Sequence, residues 1–161
     1  MDRLESPFLY VPGCEGELLQ VTGGVVTCKL SGLDTGAAYS LWEVVTASGK
    51  GPRPHRHHGQ DEDFYVLEGQ VQFTSGDETV TVNEGGYVRV PSGTVHRYSV
   101  TSDRPCRMLI VLTPPGGVEE FWREIGVPVT DPSSPPPPPG SSNFAEVAAV
   151  ARRHGMEFVD S

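Results

Sequence analysis

The chain has 161 residues and a formal net charge of −9. This length favours one folded domain with its own core rather than two domains. The acidic balance argues against a nucleic-acid or anionic-membrane partner, because a phosphate-rich surface would repel the chain. A small molecule or a second copy of the chain is therefore the expected partner.

The cysteines and the amino terminus indicate a reduced, intracellular protein. Cys14, Cys28 and Cys106 are odd in number and widely spaced, which is typical of free core thiols rather than of a disulfide framework or a zinc ribbon. Residues 1–10 contain charged side chains and no apolar signal segment, and no stretch of the sequence approaches the roughly 18 apolar residues of a membrane span. We expect a cytoplasmic protein.

Short β-rich runs separated by Gly, Pro, Asp and Ser occupy residues 25–113. Many short strands with frequent turns predict an all-β sandwich or barrel. The predicted strands are 25–30, 38–46, 63–67, 71–75, 79–82, 87–90, 96–100 and 106–113. Side chains alternate between the two faces of a strand. The residues expected on the inward face include Phe73, Val80, Val82, Val88 and Val90.

The histidines are clustered in segments that lie between these strands or at their ends. His55 and His57 are two positions apart, so in a strand they point to the same face, roughly 6.6 Å apart along the chain. Glu62 follows at the start of the next strand, and His96 lies on a distant strand that must fold back. Two imidazoles can converge on one ion at about 2.1 Å, so these four residues are predicted metal ligands inside the barrel. His58 points to the opposite face and is assigned a structural or exposed role.

The predicted ligand set leaves one or two coordination positions open for a substrate. Three imidazoles and a carboxylate suit one divalent transition metal per chain without choosing among Ni, Co, Mn, Fe, Cu and Zn. Alternation predicts that about half of the nearby aromatic and apolar residues belong to the core and the rest line a pocket. These pocket candidates are Tyr39, Leu41, Trp42, Phe64, Phe73 and Tyr98.

Two spaced motifs carry a family resemblance. The first reads G-x5-H-x-H-x4-E-x6-G from Gly49 to Gly69, and the second reads G-x5-P-x-G-x2-H from Gly85 to His96. Together they are similar to the two signature motifs of the cupin superfamily, although Val100 stands where many members have Asn. The resemblance implies a double-stranded β-helix, that is, a jelly-roll barrel, with a metal site inside it.

Two helices are predicted after the barrel. Residues 118–125 have apolar side chains at helical spacing. Residues 144–154 follow Asn143, and Glu146 stands three positions after it, as in a capping box. Gly155 is at the position where a helix commonly ends in a left-handed residue. The chain is therefore expected to close with short C-terminal helices.

A proline-rich linker separates the two predicted helices. Residues 131–142 contain a run of prolines, which predicts an extended spacer rather than helix or sheet. We assign residues 1–116 to a cupin barrel with N-terminal strands. Residues 117–161 are assigned to a C-terminal helix, the proline-rich linker and a terminal helix.

The helix-linker-helix tail extends the resemblance to small one-domain cupins of the quercetinase-like type. That resemblance implies a metal-dependent dioxygenase that acts on a flavonol or a related aromatic enol, with Glu62 as the catalytic base. Two alternatives stay open, because a fold does not determine a function. One is a metal-binding cupin without oxygenase chemistry that binds a small molecule or serves as an accessory protein. The other is an isomerase or cyclase of a biosynthetic pathway that uses the metal as a Lewis acid.

A closed two-fold homodimer is the expected assembly. Outer strands of an open sheet expose unpaired backbone groups, and a self-complementary interface covers the same edge on both copies. Strand 25–30 and helix 144–154 are the expected contributors. The helix has an apolar stripe that needs a partner on its own barrel or across the interface. That stripe consists of Phe144, Val147, Ala148 and Ala151.

Overall fold

The computed structural model describes residues 7–13, 15–130 and 143–160. Its strands are β1 (Glu17–Val21), β2 (Gly24–Leu30), β3 (Ser40–Thr46), β4 (His55–His57), β5 (Asp61–Glu68), β6 (Gln70–Ser75), β7 (Glu78–Asn83), β8 (Tyr87–Val90), β9 (Arg97–Val100), β10 (Cys106–Thr113), β11 (Val127–Pro128) and β12 (Met156–Phe158). Its helices are α1 (Val118–Ile125) and α2 (Phe144–Arg153). The protein is therefore mostly β with short helices, as predicted. In the described part of the chain, neither helix is long and apolar enough to cross a membrane.

The predicted elements agree with the observed ones to within a few residues. Strands β8 and β10 and helix α1 have the predicted bounds. Helix α2 ends at Arg153, one residue before the predicted end, and His154 is its C-cap. The predicted strands do not include β1, β4, β11 or β12, which are all five residues long or shorter. The proline-rich linker at 131–142 and Cys14 lie outside the described residues.

Two antiparallel sheets enclose the core. The larger sheet has the order β11-β1-β2-β3-β10-β5-β8, and the smaller has the order β7-β6-β9. The ring centroids of Phe64 on β5 and Phe73 on β6 are 4.9 Å apart, so the two sheets face each other. Every second residue of β3 and β10 is buried, and each large apolar side chain placed there contributes about 1.5–3 kcal/mol through burial.

Two expectations about the strands are wrong. Val80 was expected to face the core but is 50% exposed, because β7 is an outer strand of the smaller sheet and only its end reaches the core at Val82. Strand β2, expected to present an edge to a second copy, lies between β1 and β3. Its backbone is already paired on both sides, and the edges of the larger sheet are β8 and β11.

The C-terminal segment packs on the barrel of its own chain. The side chain of Asn143 caps α2 by accepting a hydrogen bond from the backbone N–H of Ala145 at 3.1 Å. Gly155 has a φ of 72°, a conformation that glycine adopts at no steric cost, and turns the chain from α2 into β12. Strand β12 then pairs with β4, and Ala151 of α2 packs with Phe121 and Met156. The apolar stripe of α2 therefore finds its partner within the chain.

A buried polar network fixes α1 to the start of β5. The carboxylate of Glu119 is 3% exposed and accepts hydrogen bonds from Ser40 Oγ at 2.7 Å, from the Gly116 N–H at 2.7 Å and from Gln60 Nε2 at 3.1 Å. The amide oxygen of Gln60 accepts from the N–H of Val118 at 3.1 Å. A buried carboxylate is costly unless it is hydrogen-bonded, so this network couples the position of α1 to the strand that follows Gln60.

Two of the three cysteines lie in the described residues and are free thiols, as predicted. Cys106 is buried and Cys28 is half-buried. Burial raises the pKa of both thiols to about 11, so they stay protonated at neutral pH. Because the thiolate is the nucleophile, neither cysteine is poised for nucleophilic chemistry at neutral pH.

Candidate metal centre

Strand β4 places two imidazoles side by side. His55 and His57 alternate with Arg56, and both are buried, with 5% and 4% of their surface exposed. Their ring centroids lie 4.9 Å apart. His58 points away from them, and its Nε2 lies 3.1 Å from a carboxylate oxygen of Glu157. The two-residue period of the strand thus separates the buried pair from the exposed histidine, as predicted.

The third imidazole comes from the second motif. His96 pairs with His55 as an isolated antiparallel bridge, with N···O distances of 2.9 and 2.8 Å between the two backbones. The N–H of Gly93 also donates to the carbonyl of His57 at 2.7 Å. These backbone contacts bring the His96 ring to 4.4 Å from the His55 ring and 5.6 Å from the His57 ring, measured between centroids.

Glu62 completes the group from β5. Its side chain is 4% exposed, and its Oε2 atom lies 2.9 Å from Nε2 of His57 and 2.9 Å from Nε2 of His96. The acidic residues on either side point outward instead: Asp61 and Asp63 both pair with Arg89, at 2.5 and 3.2 Å. Alternation along β5 therefore selects one carboxylate out of three for the interior.

The four predicted ligands converge. His55, His57, Glu62 and His96, called here the His3Glu cluster, each offer one ligand atom, and these atoms all lie within 4.8 Å of one another. Ligand distances of about 2.0–2.2 Å place the donors of one tetrahedral zinc ion about 3.4 Å apart. The spacing of the cluster is therefore consistent with one metal site, while ligation itself stays a prediction.

The hydrogen bonds of the three rings also fit a metal. The Nδ1 atoms of His55 and His96 donate to the carbonyls of Arg53 and Thr94 at 2.7 and 3.0 Å. Such second hydrogen bonds orient the ring and leave Nε2 for the ion. Nε2 of His57 is buried and has no hydrogen-bond partner of acceptable geometry, although the Glu62 oxygen is near. A buried nitrogen without a partner is costly, and coordination to a cation would satisfy it.

Burial and mutual contacts set the charge of the cluster. Burial lowers the pKa of His55 to about 4, which leaves this ring neutral, as ligation requires. For Glu62, burial raises the pKa, but the attraction of His57 and the hydrogen bond and attraction of His96 outweigh it and hold the pKa well below its ordinary value. For His96, burial lowers the pKa, but the hydrogen bond and attraction of Glu62 raise it by more, so the pKa lies above its ordinary value. The cluster thus keeps an ionised carboxylate among imidazoles.

A cavity of about 400 Å³ opens beside the His3Glu cluster. Two of the six pocket candidates from the sequence, Phe64 and Tyr98, line it. Trp42 and Phe73 belong to the core, and Tyr39 is 37% exposed on the surface. Leu41 is half-buried and is likewise absent from the cavity lining.

A second part of the cavity lining, which adjoins β4 through the pairing of β12, comes from residues that the sequence reasoning missed. Helices α1 and α2 and strand β12 contribute only apolar side chains to it, and this face is called here the C-terminal wall. Its main members are Phe121, Trp122, Phe144, Val147, Met156 and Phe158. In the sequence, the alternation of Met156 and Phe158 directly after Gly155 was the available signal for a strand with one buried face.

The fold and the His3Glu cluster define a cupin with a buried, metal-site-like group of side chains. Residues 42–112 match the cupin domain family, so the chain contains a cupin domain. It is similar to quercetin 2,3-dioxygenase of Bacillus subtilis, with 32% identity over 156 residues that cover 94% of this chain and 45% of that protein. An uncharacterised protein of Streptomyces coelicolor is 40% identical over 58 residues, 36% of this chain and 54% of that protein. The chain thus spans about half the length of these two curated relatives.

Solved structures share the fold. A predicted oxalate decarboxylase from Thermotoga maritima has a TM-score of 0.59 at 21% identity, covering 66% of this chain and 99% of that chain. Ectoine synthase from P. lautus has a TM-score of 0.56 at 22% identity, covering 78% of this chain and 87% of that chain. At such identities the likeness shows the cupin architecture alone, so the reaction has to be inferred from the site.

Proposed function

We propose that the protein is a metal-dependent cupin enzyme, and more specifically a quercetinase-like dioxygenase that acts on a flavonol or a related aromatic enol. The observation that carries the proposal is the convergence of the His3Glu cluster at the side of an aromatic-lined cavity. The similarity to quercetin 2,3-dioxygenase over 94% of this chain supports the choice of reaction.

In this proposal the His3Glu cluster holds one divalent transition metal. Two of its rings have their Nδ1 atoms engaged by backbone carbonyls, so they are pre-oriented with Nε2 toward the centre. When bound, the ion supplies Lewis-acid chemistry that lowers the pKa of a substrate hydroxyl. Dioxygen is the co-substrate and the oxidant, and the protein's own side chains bind and orient the substrate and accept its proton.

Glu62 is the proposed base. It is the one carboxylate of the His3Glu cluster, and its neighbours hold its pKa low, so it is ionised and can accept a proton. Its burial excludes bulk water from the same position. A positioned carboxylate that takes the hydroxyl proton in the transition state contributes typically about 10²–10⁴-fold to the rate.

The cavity suits a flat aromatic molecule. Its volume of about 400 Å³ lies in the range of about 300–1,000 Å³ that is typical of small-molecule sites. The rings of Phe64, Trp122 and Phe158 offer stacking surfaces. Tyr98 adds a hydroxyl that lies 3.2 Å from Thr46 Oγ1, and burial raises its pKa to about 12, so it keeps its proton and can donate a hydrogen bond.

Oxygen uptake tests this proposal. Protein loaded in turn with Ni, Co, Mn and Fe is mixed with a panel of flavonols and polyphenols in an oxygen electrode. We expect uptake with at least one pair of metal and substrate, and a loss of about 10²–10⁴-fold in Glu62→Gln, with most of the metal retained. Asp63→Asn is the matched control, because this neighbouring carboxylate faces Arg89 outside the cavity.

Each outcome separates the possible functions. Full activity in Glu62→Gln would exclude Glu62 as the base. Uptake with none of the metals would instead favour a binding or accessory cupin, or an isomerase or cyclase.

We also propose a two-fold dimer whose contact surface differs from strand 25–30 and helix 144–154, the surface expected from the sequence. Strand β2 is paired on both sides, and α2 packs on its own chain. In the described part of the chain, the outer strands of the larger sheet are β8 and β11. Edge strands of this kind pair readily with a second copy. Light scattering at micromolar concentration should report about twice the chain mass, and a monomer there would contradict the proposal.

A further inference from the structure

Arg53 occupies a distinct position in the cavity lining. It stands two residues before His55, beyond a bend at Pro54 that precedes β4. Arg53 is exposed, whereas His55 and His57 are buried, and all three line the cavity. Arg53 therefore lies where the cavity meets solvent, with the His3Glu cluster further inside.

A run of aromatic rings joins Arg53 to the His3Glu cluster. The guanidinium carbon of Arg53 lies 4.2 Å from the centroid of the Phe144 ring. The Phe144 and Phe158 centroids are 5.4 Å apart, and those of Phe158 and His55 are 6.1 Å apart. The Phe158 ring is tilted by 59° to the Phe144 ring and by 55° to the His55 ring. A ligand that spans this run therefore meets both faces and edges of the rings, with one end near His55 and the other near the guanidinium.

The charge of Arg53 has no acidic partner among residues 7–13, 15–130 and 143–160. Its neighbour on the opposite face, Arg56, pairs instead with Glu157 at 2.8 Å. The guanidinium of Arg53 contacts only the face of Phe144 among these residues. Stacking on Phe144 leaves the N–H groups at the edge of the guanidinium plane free to donate hydrogen bonds. Two of them can bind the two oxygens of a carboxylate in a bidentate geometry.

We propose that Arg53 is a specificity-determining residue that binds a carboxylate of the substrate. The substrate is then an aromatic enol or phenol that carries a carboxylate at the end remote from the His3Glu cluster. This inference rests on the function proposed above, because it takes the cavity to be the substrate site. One guanidinium balances a monoanion. The protein's net charge of −9 opposes a doubly charged phosphate more strongly than a carboxylate.

A purely structural role for Arg53 predicts something different. If the guanidinium served only to hold Phe144 and α2 in place, its removal would loosen the cavity for all ligands alike. A recognition role predicts a loss for acids and little change for neutral molecules of the same shape. The comparison of an acid with its amide therefore distinguishes the two roles.

The test uses 3-hydroxyflavone-4′-carboxylate and the matched 4′-carboxamide as probes, with metal-loaded protein in the absence of oxygen. The chain has 2 tryptophans, and Trp122 lines the cavity, so quenching of tryptophan fluorescence reports binding. We expect the wild-type protein to bind the carboxylate at least about 10-fold more tightly than the amide. Hydrogen bonds to charged groups are worth this much in affinity.

Three variants complete the test. Arg53→Met keeps the apolar stem and should weaken binding of the carboxylate by about 10- to 100-fold and of the amide by less than about 2-fold. Arg53→Lys keeps the charge without the planar fork and should lie between the two. Arg56→Met is the matched control and should change neither affinity, because Arg56 faces away from the cavity.

Several results would overturn the proposal. They are equal affinities of the two probes for the wild-type protein, binding of neither probe, or equal losses for both probes in Arg53→Met. Metal content and oxygen uptake are measured on the same preparations. A carboxylate preference that depends on Arg53, found without any oxygen uptake, would support the subsite and reject the oxygenase function.

Discussion

The two sides of the cavity differ in chemistry. On the barrel side, strands β4 and β5 and the second motif supply all four members of the His3Glu cluster. On the other side, the residues of the C-terminal wall that line the cavity are all apolar and include no histidine, cysteine or carboxylate. The barrel thus provides the groups that can bind a metal and move a proton, and the C-terminal wall provides shape and excludes water.

This division shows how one barrel can serve different substrates. The His3Glu cluster is held by backbone hydrogen bonds between strands, which leave little room for change. The C-terminal wall is held by side-chain packing and by the backbone pairing of β12 with β4. Backbone pairing does not depend on which apolar side chain stands at a position, so the side chains of the wall can change while the pairing next to His55 and His57 stays. Functional sites are grafted on folds in this way.

The largest effect is expected when ligands are removed from the barrel side. The wild-type protein should carry about one ion per chain, and the double variant His57→Ala with His96→Ala should carry none, because two missing imidazoles leave too few donors for the first shell. Elemental analysis of purified protein measures this directly. Stoichiometric metal in the double variant would show that the His3Glu cluster is not the metal site.

His58→Ala is the matched control for that experiment. This histidine is adjacent to His57 in sequence, but its ring is on the other face and 56% of its side chain is exposed. Its removal should leave the metal content unchanged. A loss of metal in this variant as well would attribute the effect to the disturbance of β4 rather than to the removal of ligands.

A smaller effect is expected from the C-terminal wall. Met156 is 4% exposed and packs with Phe121 and Ala151. Met156→Ala should lower the free energy of unfolding by about 2 kcal/mol, at the low end of buried Met→Ala changes, because one side of the residue already borders a cavity. Urea unfolding measures the change, and the metal content should stay at the wild-type level.

Glu157→Ala sharpens the interpretation of Met156→Ala. Glu157 is the next residue of β12 and points outward to Arg56 and His58, so its replacement should have little effect on stability. If Met156→Ala lost its metal while remaining folded, the two sides of the cavity would not be separable in the way described above.

The barrel side was predictable from the sequence because the orientation of its side chains follows from the alternation of neighbouring residues along a strand. The two-residue period of a strand determines that His55 and His57 share a face and that His58 does not. The same period selects Glu62 from three consecutive acidic residues. His96 needed the second motif, since nothing close to it in sequence indicates that its backbone pairs with His55.

The C-terminal wall was not predictable, because it depends on pairing between distant segments. A sequence shows that 156–158 alternates, but three residues do not select β4 as their partner among all available strands. The prediction that Val80 is buried was wrong for a related reason. Alternation indicates which face a side chain points to, but not whether the core extends that far along the strand. Both features depend on the assembled fold.

The smallest effect is expected where α1 and α2 meet at the surface. The carboxylate of Glu124 on α1 contacts Arg153 and lies 2.7 Å from Nε2 of His154 at the end of α2. Exposed ion pairs contribute little to stability, so Glu124→Gln should lower the urea midpoint only slightly near neutral pH. Glu120→Gln makes the same charge change on the same helix without breaking a contact between the helices.

The pH dependence of the difference in urea midpoint between wild-type protein and Glu124→Gln shows whether that difference comes from the charge of Glu124. Hydrogen bonds from His154 and Arg153 lower the pKa of Glu124 below its ordinary value of 4.5. A carboxylate with a lowered folded-state pKa adds stability above the unfolded-state value, and this stability is lost as the pH falls through the folded-state pKa. The urea midpoints of wild-type protein and Glu124→Gln should therefore converge as the pH falls below 4.5. A gap that stayed constant or widened would mean that the contact between the helices does not depend on the charge of Glu124.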